Sequence, residues 1–307
     1  MTESPATPPA RMSPARTKEE YERTVRLPFD PRGMECMRVP LQASDVVIAT
    51  FPKAGTTWTQ QICHGLRSRG DMNFKEISHV VPWIERGHMF AIDAWKPQAF
   101  APRTFKTHLE HANVNKGARY IHVVREPKDT LVSFYRFMSN GVIDPSALSI
   151  DDFADAWLFS DQLAERQSDD EPFGPNLYNY WRHLLDWWGA REHAPVLTLA
   201  YENMQRDLPG HVARIAAFMG IPADAETLEI ATRQSTFAFM SAHEDQFADN
   251  IPGTEMRFSK VVDGKVGSYK ARVSPELAAR IDAKWQEYVT PVLGVRSYEE
   301  FISKLAL

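Results

Sequence analysis

Cysteine is nearly absent from this chain: two occur among 307 residues, Cys36 and Cys63. Two thiols exclude both a disulfide framework and a cysteine-rich metal site. Long apolar runs are missing as well. None reaches the roughly 18 to 20 residues that a membrane-crossing helix needs, and the N-terminus has no signal-peptide apolar core. Nor is there an excess of positive charge. At a net charge of −5, no broad nucleic-acid-binding face is expected, although a local basic pocket for a small anion is compatible with it. What is present is ordinary globular usage, 43% hydrophobic and 24% charged residues. That is enough apolar material for one large α/β domain or two small ones. Ten His and eight Trp leave room for enzyme chemistry. The combination predicts a soluble cytoplasmic protein with neither membrane nor nucleic acid as partner.

Residues 1–20 hold four prolines among Ala, Ser, Thr and charges, without apolar periodicity. This predicts a disordered tail over 1–20 and a single domain over 21–307, since no internal repeat or later linker divides the chain. Three short apolar runs read as buried strands: 45–50, 119–124 and 196–201. Each is followed by turn residues and then by apolar residues at helical spacing, over 56–66, 128–138 and 211–219. Buried strands alternating with amphipathic helices predict an α/β fold, a parallel sheet flanked by helices. Such sheets bind ligands at the carboxyl ends of their strands.

The strongest local signal is Phe51-Pro52-Lys53-Ala54-Gly55-Thr56-Thr57-Trp58, between strand 45–50 and helix 56–66. Glycine lets a backbone approach a ligand closely. A helix start offers unpaired N–H groups and the positive end of a dipole, while Thr56 and Thr57 add hydroxyl donors and Lys53 a full charge. Together these make a cradle for phosphate. The order differs from the nucleotide-triphosphate loop G-x-x-x-x-G-K-[ST], because here the lysine precedes the glycine. The same residues would also serve a plain helix start with an incidental lysine.

A second strand–turn–helix unit begins at Arg125-Glu126-Pro127-Lys128-Asp129. Arg125 falls just past a strand end, where its planar fork can grip a phosphate, and Pro127 suits a first helical turn. Ser133 then lies on the helix eight residues after the arginine. Alternatively, Arg125 and Asp129 would form an ion pair that caps the helix.

With these segments in view, the chain resembles the cytosolic sulfotransferases, which use 3′-phosphoadenosine 5′-phosphosulfate (PAPS). Phe51–Trp58 is similar to the family's Tyr-Pro-Lys-Ser-Gly-Thr-Thr-Trp, and Arg125–Phe137 to its Arg-Asn-Pro-Lys-Asp…Val-Ser-Tyr-Tyr-x-Phe. Phe105-Lys106-Thr107-His108-Leu109 contains its Lys-Thr-His-Leu, and Val81-Pro82-Trp83-Ile84-Glu85 resembles Val-Pro-Phe-Leu-Glu. Trp187-Trp188, Tyr201-Glu202-Asn203-Met204 and Ser235-Thr236-Phe237 follow in the family's order, so the resemblance spans about residues 28–303.

The resemblance implies a P-loop-like phosphate site and the following roles. Lys53, Gly55, Thr56 and Thr57 would hold the 5′-phosphosulfate, with Trp58 stacked on adenine. Arg125 and Ser133 would hold the 3′-phosphate. Tyr201, Ser235 and Phe237 would complete the adenine pocket, and Lys265 and Gly267 would belong to the loop closing over the nucleotide. His108 is implied as general base, with Lys106 beside the sulfuryl group and Lys53 on the leaving oxygen. His64, His79, His88, His111, His122 and His183 read as structural, as does Trp187-Trp188. PAPS would be the donor, its product 3′-phosphoadenosine 5′-phosphate (PAP), and no metal would be needed. The acceptor would be a small organic hydroxyl compound, a phenol or alcohol. Its pocket is expected from 81–90, 138–143 and 239–258, which carry Trp83, Phe90, Phe239, Phe247 and Met256.

Two motifs depart. Where the family has Arg-Lys-Gly-x-x-Gly-Asp-Trp-Lys, this chain has Val262-Asp263-Gly264-Lys265-Val266-Gly267-Ser268-Tyr269-Lys270. The cations that would meet the 3′-phosphate are missing, with Lys260 or Lys265 as substitutes. The family dimer motif would start at Lys270 but meets Ser274-Pro275, so dimerisation by that route is not expected. Two other readings remain: a kinase-like or nucleotide-triphosphate-hydrolysing protein on the same loop, and a binder of 3′-phosphoadenosine nucleotides without transfer.

Overall fold

The computed structural model describes residues 13–25, 38–90, 92–159, 179–250, 257–262 and 264–305. Four parallel strands form the central sheet: β1 (Val46–Thr50), β2 (Thr104–Thr107), β3 (Arg119–Val124) and β4 (Val196–Ala200), in the order β2-β1-β3-β4. All five residues of β1 are buried, as expected of a strand covered on both faces. One apolar cluster joins Val46, Ile48, Ile121, Val123 and Leu199 to Ile62, Leu66 and Ile215. Another lies across the sheet, with Val47, Ala49, Phe105, Tyr120 and Trp187. Trp187 is fully buried, and its indole donates to the Leu109 carbonyl at 2.9 Å, a core role as expected.

The expected strands appear at the expected places; β2 was not foreseen as one. Its four residues include Lys106, which breaks the apolar pattern. The strand exists because it is paired on both sides. Its register to β1 sets Ile48 opposite Lys106, and segment 82–84 lies along its other edge. There the Lys106 N–H donates to the Pro82 carbonyl at 2.8 Å, and the Ile84 N–H to the Lys106 carbonyl at 3.0 Å.

Helices Thr56–Ser68, Pro127–Met138 and Leu208–Met219 follow β1, β3 and β4. Leu208–Met219 starts earlier than its apolar spacing suggests, because Asp207 caps it by accepting from the Gly210 N–H. Among the described residues, no helix is long and apolar enough to cross a membrane.

The tail expected over 1–20 is corrected over 13–20, while residues 1–12 lie outside the described residues. Ala15 is 3% exposed and bridges Ile143 through bonds from the Ala15 N–H to the Val142 carbonyl (2.9 Å) and from the Asp144 N–H to the Ala15 carbonyl (2.8 Å). Helix Lys18–Val25 follows, and its Tyr21 ring packs 5.0 Å from Phe153. Backbone bonds and a single buried tyrosine leave no periodic pattern, so composition concealed this packing.

Candidate active site

Between β1 and helix Thr56–Ser68 the chain passes through two left-handed conformations, Lys53 (φ 68°) and Gly55 (φ 107°). The first is unusual for a residue with a side chain. At Gly55, glycine is required twice over, because an added Cβ would also lie 2.9 Å from Cδ2 of Tyr201. The curled turn delivers the start of the helix, whose first N–H groups have no intrahelical acceptors. The Thr56 hydroxyl lies 2.5 Å from that of Thr50. Lys53 is half-buried, its Nζ 4.1 Å from the centre of the Phe137 ring. Burial, then the neighbouring charges of Lys260, Arg125 and Lys106, brings its pKa down to about 7 despite Asp249.

Arg125 sits at the end of β3, 6% exposed, and ties two loops together. One terminal nitrogen donates to the Lys53 carbonyl (3.1 Å), the other to the Lys265 carbonyl (3.3 Å). The guanidinium lies 4.5 Å above the Tyr201 ring, and its buried Nε has no partner among the described residues. The expected alternative, an Arg125–Asp129 pair, is replaced by another arrangement. Fully buried Asp129 accepts from the Gly267 N–H (2.6 Å), the Ser268 hydroxyl (3.0 Å) and the Tyr269 N–H (2.9 Å). The carboxylate thereby staples the C-terminal loop to helix Pro127–Met138. Ser133, half-buried, lies one turn farther along that helix.

The same loop meets an aromatic patch. Tyr201 donates to the Gly264 carbonyl at 3.2 Å, and its ring stands edge-on to Trp58 at 5.1 Å. Trp58 donates to the Ser235 carbonyl at 2.7 Å, while the Ser235 hydroxyl is buried and lacks a partner among the described residues. Phe237, at the start of helix Phe237–Ala242, is 47% exposed and so close to Gly264 that a Cβ there would lie 3.1 Å from its ring. Trp58, Tyr201, Ser235 and Phe237 thus converge from three segments beside Arg125. Asp263 lies outside the described residues.

The third group centres on His108, just past β2. Its Nδ1 lies 2.8 Å from the Thr50 carbonyl oxygen, and its own N–H donates to Glu85 Oε1 at 2.7 Å. Glu85 also accepts from the Thr107 hydroxyl at 3.0 Å, which locks the turn carrying the imidazole. Since a carbonyl can only accept, the neutral ring carries its proton on Nδ1 and its lone pair on Nε2. Burial, reinforced by the Lys106 charge, holds the pKa well below the usual imidazole value. Trp83 stands edge-on to His108 at 5.0 Å and lies 4.4 Å from Lys106 Nζ. Lys106 is 3% exposed; burial and then the Lys260 charge lower its pKa to about 8.

Asp249 escaped sequence reading, and Lys260 was expected only as a substitute at the 3′-phosphate. Lys260 pairs with Asp249 beside an antiparallel hairpin of β5 (Asp249–Asn250) and β6 (Arg257–Phe258). No local motif marks either residue. The expected acceptor lining is only partly realised. Trp83 and Phe90 stack at 6.0 Å next to His108. Phe247 instead packs in a small core with Phe74, Ile77 and Met240, and Ile143 in the core that holds Ala15. Met256 lies outside the described residues.

A parallel sheet with a P-loop-like strand–loop–helix at the ends of its strands defines the class of α/β protein. The family model of the sulfotransferase domain matches residues 43–291, and the chain belongs to that family. Among curated relatives it is similar to the amine sulfotransferase of Oryctolagus cuniculus, 27% identical over 260 residues (80% of this chain, 81% of that protein). Similarity to sulfotransferase 4A1 of Homo sapiens is again 27%, over 300 residues (94% and 95%). Among solved structures, mouse sulfotransferase SULT7A1 complexed with PAP superposes with a TM-score of 0.67 at 18% identity, covering 90% of this chain and 95% of that one. The chain is a sulfotransferase.

Proposed function

We propose that the protein transfers the sulfuryl group of PAPS to a hydroxyl of a small phenol or alcohol, with His108 as general base. The observation that carries this reading is the bond from His108 Nδ1–H to the Thr50 carbonyl, 2.8 Å, beside Lys106. It favours the tautomer whose Nε2 can accept a proton.

Bound PAPS supplies the sulfuryl group: a bond from the acceptor oxygen to sulfur forms as the bond from sulfur to the 5′-phosphate oxygen breaks in line. His108 Nε2 takes the acceptor's hydroxyl proton. Lys53 meets the charge growing on the leaving oxygen, and Lys106 that on the sulfuryl oxygens. Gly55, Thr56 and Thr57 present backbone and hydroxyl donors to the 5′ end. Arg125 and Ser133 take the 3′-phosphate, supported by the buried Arg125 Nε, which has no partner among the described residues. Trp58, Tyr201 and Phe237 flank adenine. The orphan Ser235 hydroxyl suits a polar edge of the base, because a buried hydroxyl without a partner is costly. Lys265 and Gly267 close the loop from the other side. Lys260, paired with Asp249 and close to Lys53 and Lys106, supports a place near the sulfur end rather than the 3′-phosphate.

Sulfur-labelled PAPS incubated with a panel of phenols, alcohols and amines, and ATP as control, tests the reading. Labelled product on a hydroxyl compound is expected. ATP turnover, or nucleotide binding without transfer to any member, would favour the other readings. An amine-only product would change the acceptor class.

A further inference from the structure

Among the described residues, the Lys260–Asp249 pair differs from the other ion pairs except Lys128–Glu126, whose side chains are 8% and 6% exposed. Most of those lie at the surface with one or both partners well exposed, whereas here the side chains are 7% and 8% exposed. The two residues flank a two-rung hairpin, with Asp249 opening β5 and Lys260 two residues beyond β6. Between them and the phosphate loop runs a chain of ring contacts. Phe258 of β6 packs 5.0 Å from Phe137, over which Lys53 Nζ lies at 4.1 Å. On the other side, Val261 packs against the core of Phe74, Ile77, Met240 and Phe247. Lys260 is therefore seated between the phosphate loop and the core of Phe74, Ile77, Met240 and Phe247.

Charge makes this placement consequential. Of the charged groups acting on Lys53 and on Lys106, Lys260 is the strongest for both. Three ammonium groups in one poorly solvated space repel one another, and Asp249 faces all three. Glu76 also faces Lys260 and Lys106, Glu85 faces Lys106, and burial raises the pKa of both carboxyls. The mutual repulsion of these lysines, which holds Lys53 and Lys106 below the usual ammonium range, is relieved when a further anion binds among them.

We propose that Lys260 is a third cation of the transfer centre, held in place by Asp249 in the empty protein, and that it binds the sulfuryl oxygens of the donor. The proposal rests on the reading of PAPS as donor. Lys260 forms and breaks no covalent bond. It donates hydrogen bonds to oxygens that the product PAP lacks, so its contribution separates donor from product.

Calorimetry of PAPS and PAP binding to the full chain, without acceptor, tests this. Lys260→Met alone would strand Asp249, so the variant of record is Lys260→Met combined with Asp249→Asn, which removes both charges; Lys260→Arg serves as the conservative control. The double variant should bind PAPS about tenfold to a hundredfold more weakly, the range for a hydrogen bond to a charged group, and PAP within about threefold of wild type. Lys260→Arg should restore most of the PAPS affinity. An unchanged ratio of PAPS to PAP affinity would overturn the proposal, as would equal weakening of both, which would assign Lys260 to a phosphate. A wild-type protein that bound neither ligand would overturn the donor reading and this proposal with it.

Discussion

The Nδ1 nitrogen of His108 lies 2.8 Å from the backbone carbonyl oxygen of Thr50, the last residue of β1. The strand that leads into the phosphate loop thus also fixes the orientation of the imidazole. The proposed base and the proposed anion cradle are set by one piece of backbone, held in register with β2 by the pairing of Ala49 with Thr107.

Replacing His108 by Ala should abolish transfer while leaving PAP affinity nearly intact. Loss of a general base costs on the order of 10²- to 10⁴-fold in rate. Because the His108 pKa is held well below the usual value, wild-type turnover should not fall through protonation of this residue on acidification across the ordinary imidazole range, about pH 6–7. Rate profiles with a weakly acidic alcohol check both points. Wild-type turnover in His108→Ala would remove the assignment.

Arg125→Ala should weaken binding of PAP far more than binding of its analogue without the 3′-phosphate. The selective loss should be about tenfold to a hundredfold, for one hydrogen-bonded charge. Arg125 also joins the Lys53 and Lys265 carbonyls, so a smaller loss common to both ligands is expected beneath it. Titration calorimetry with the two nucleotides separates the effects; equal losses would make Arg125 purely structural.

Affinity for PAPS, measured without acceptor, should fall as pH rises from about 7 to 9. In the ligand-free protein Lys53 and Lys106 have pKa values of about 7 and about 8. A bound phosphosulfate raises both. Below those values the lysines are already charged, so binding needs no proton; above them, each must take one up. One lysine contributes at most about tenfold per pH unit. Titrations in buffers of different ionisation enthalpy should therefore register proton uptake on the alkaline side. Pass-through of the affinity unchanged over this range would contradict the assignment of the two lysines to the anion.

Asp129→Ala should loosen the C-terminal loop without breaking the sheet. Three donors on Gly267, Ser268 and Tyr269 lose one carboxylate, at a cost of about 3 kcal/mol. Hydrogen exchange should accelerate at the Gly267 and Tyr269 amides and stay slow in β1 and β3. Protection equal to wild type at those two amides would show that the staple is dispensable.

Gly55→Ala should be destabilising and should lose nucleotide binding. A φ of 107° strains any side chain, and the added Cβ would meet Tyr201 Cδ2 at 2.9 Å. Backbone strain of this kind costs roughly 1–3 kcal/mol. Chemical denaturation alongside PAP titration measures both consequences, and a variant with wild-type stability and affinity would mean that the loop relaxes freely.

What the amino-acid order alone determined was local. The apolar run of Val46–Thr50 is a strand because its side chains have nowhere to go but a covered sheet, and the residues from Lys53 to Thr57 announce a turn and a helix start by their own backbone preferences. Arg125 before Pro127 is legible in the same way, as is the Lys106-Thr107-His108 motif. The tertiary structure decided everything that depends on separate segments meeting. Lys260 and Asp249 are ordinary surface residue types until a hairpin buries them together beside Lys53 and Lys106. Asp129 looks like a partner for Arg125 four residues away, yet it holds a loop 138 to 140 residues along the chain. Ala15 enters the fold through backbone bonds that no side chain advertises. Backbone propensities and apolar periodicity act over a few residues, so they are written in the order of the chain; desolvation and charge act through space, so their pairings exist only once the chain has folded.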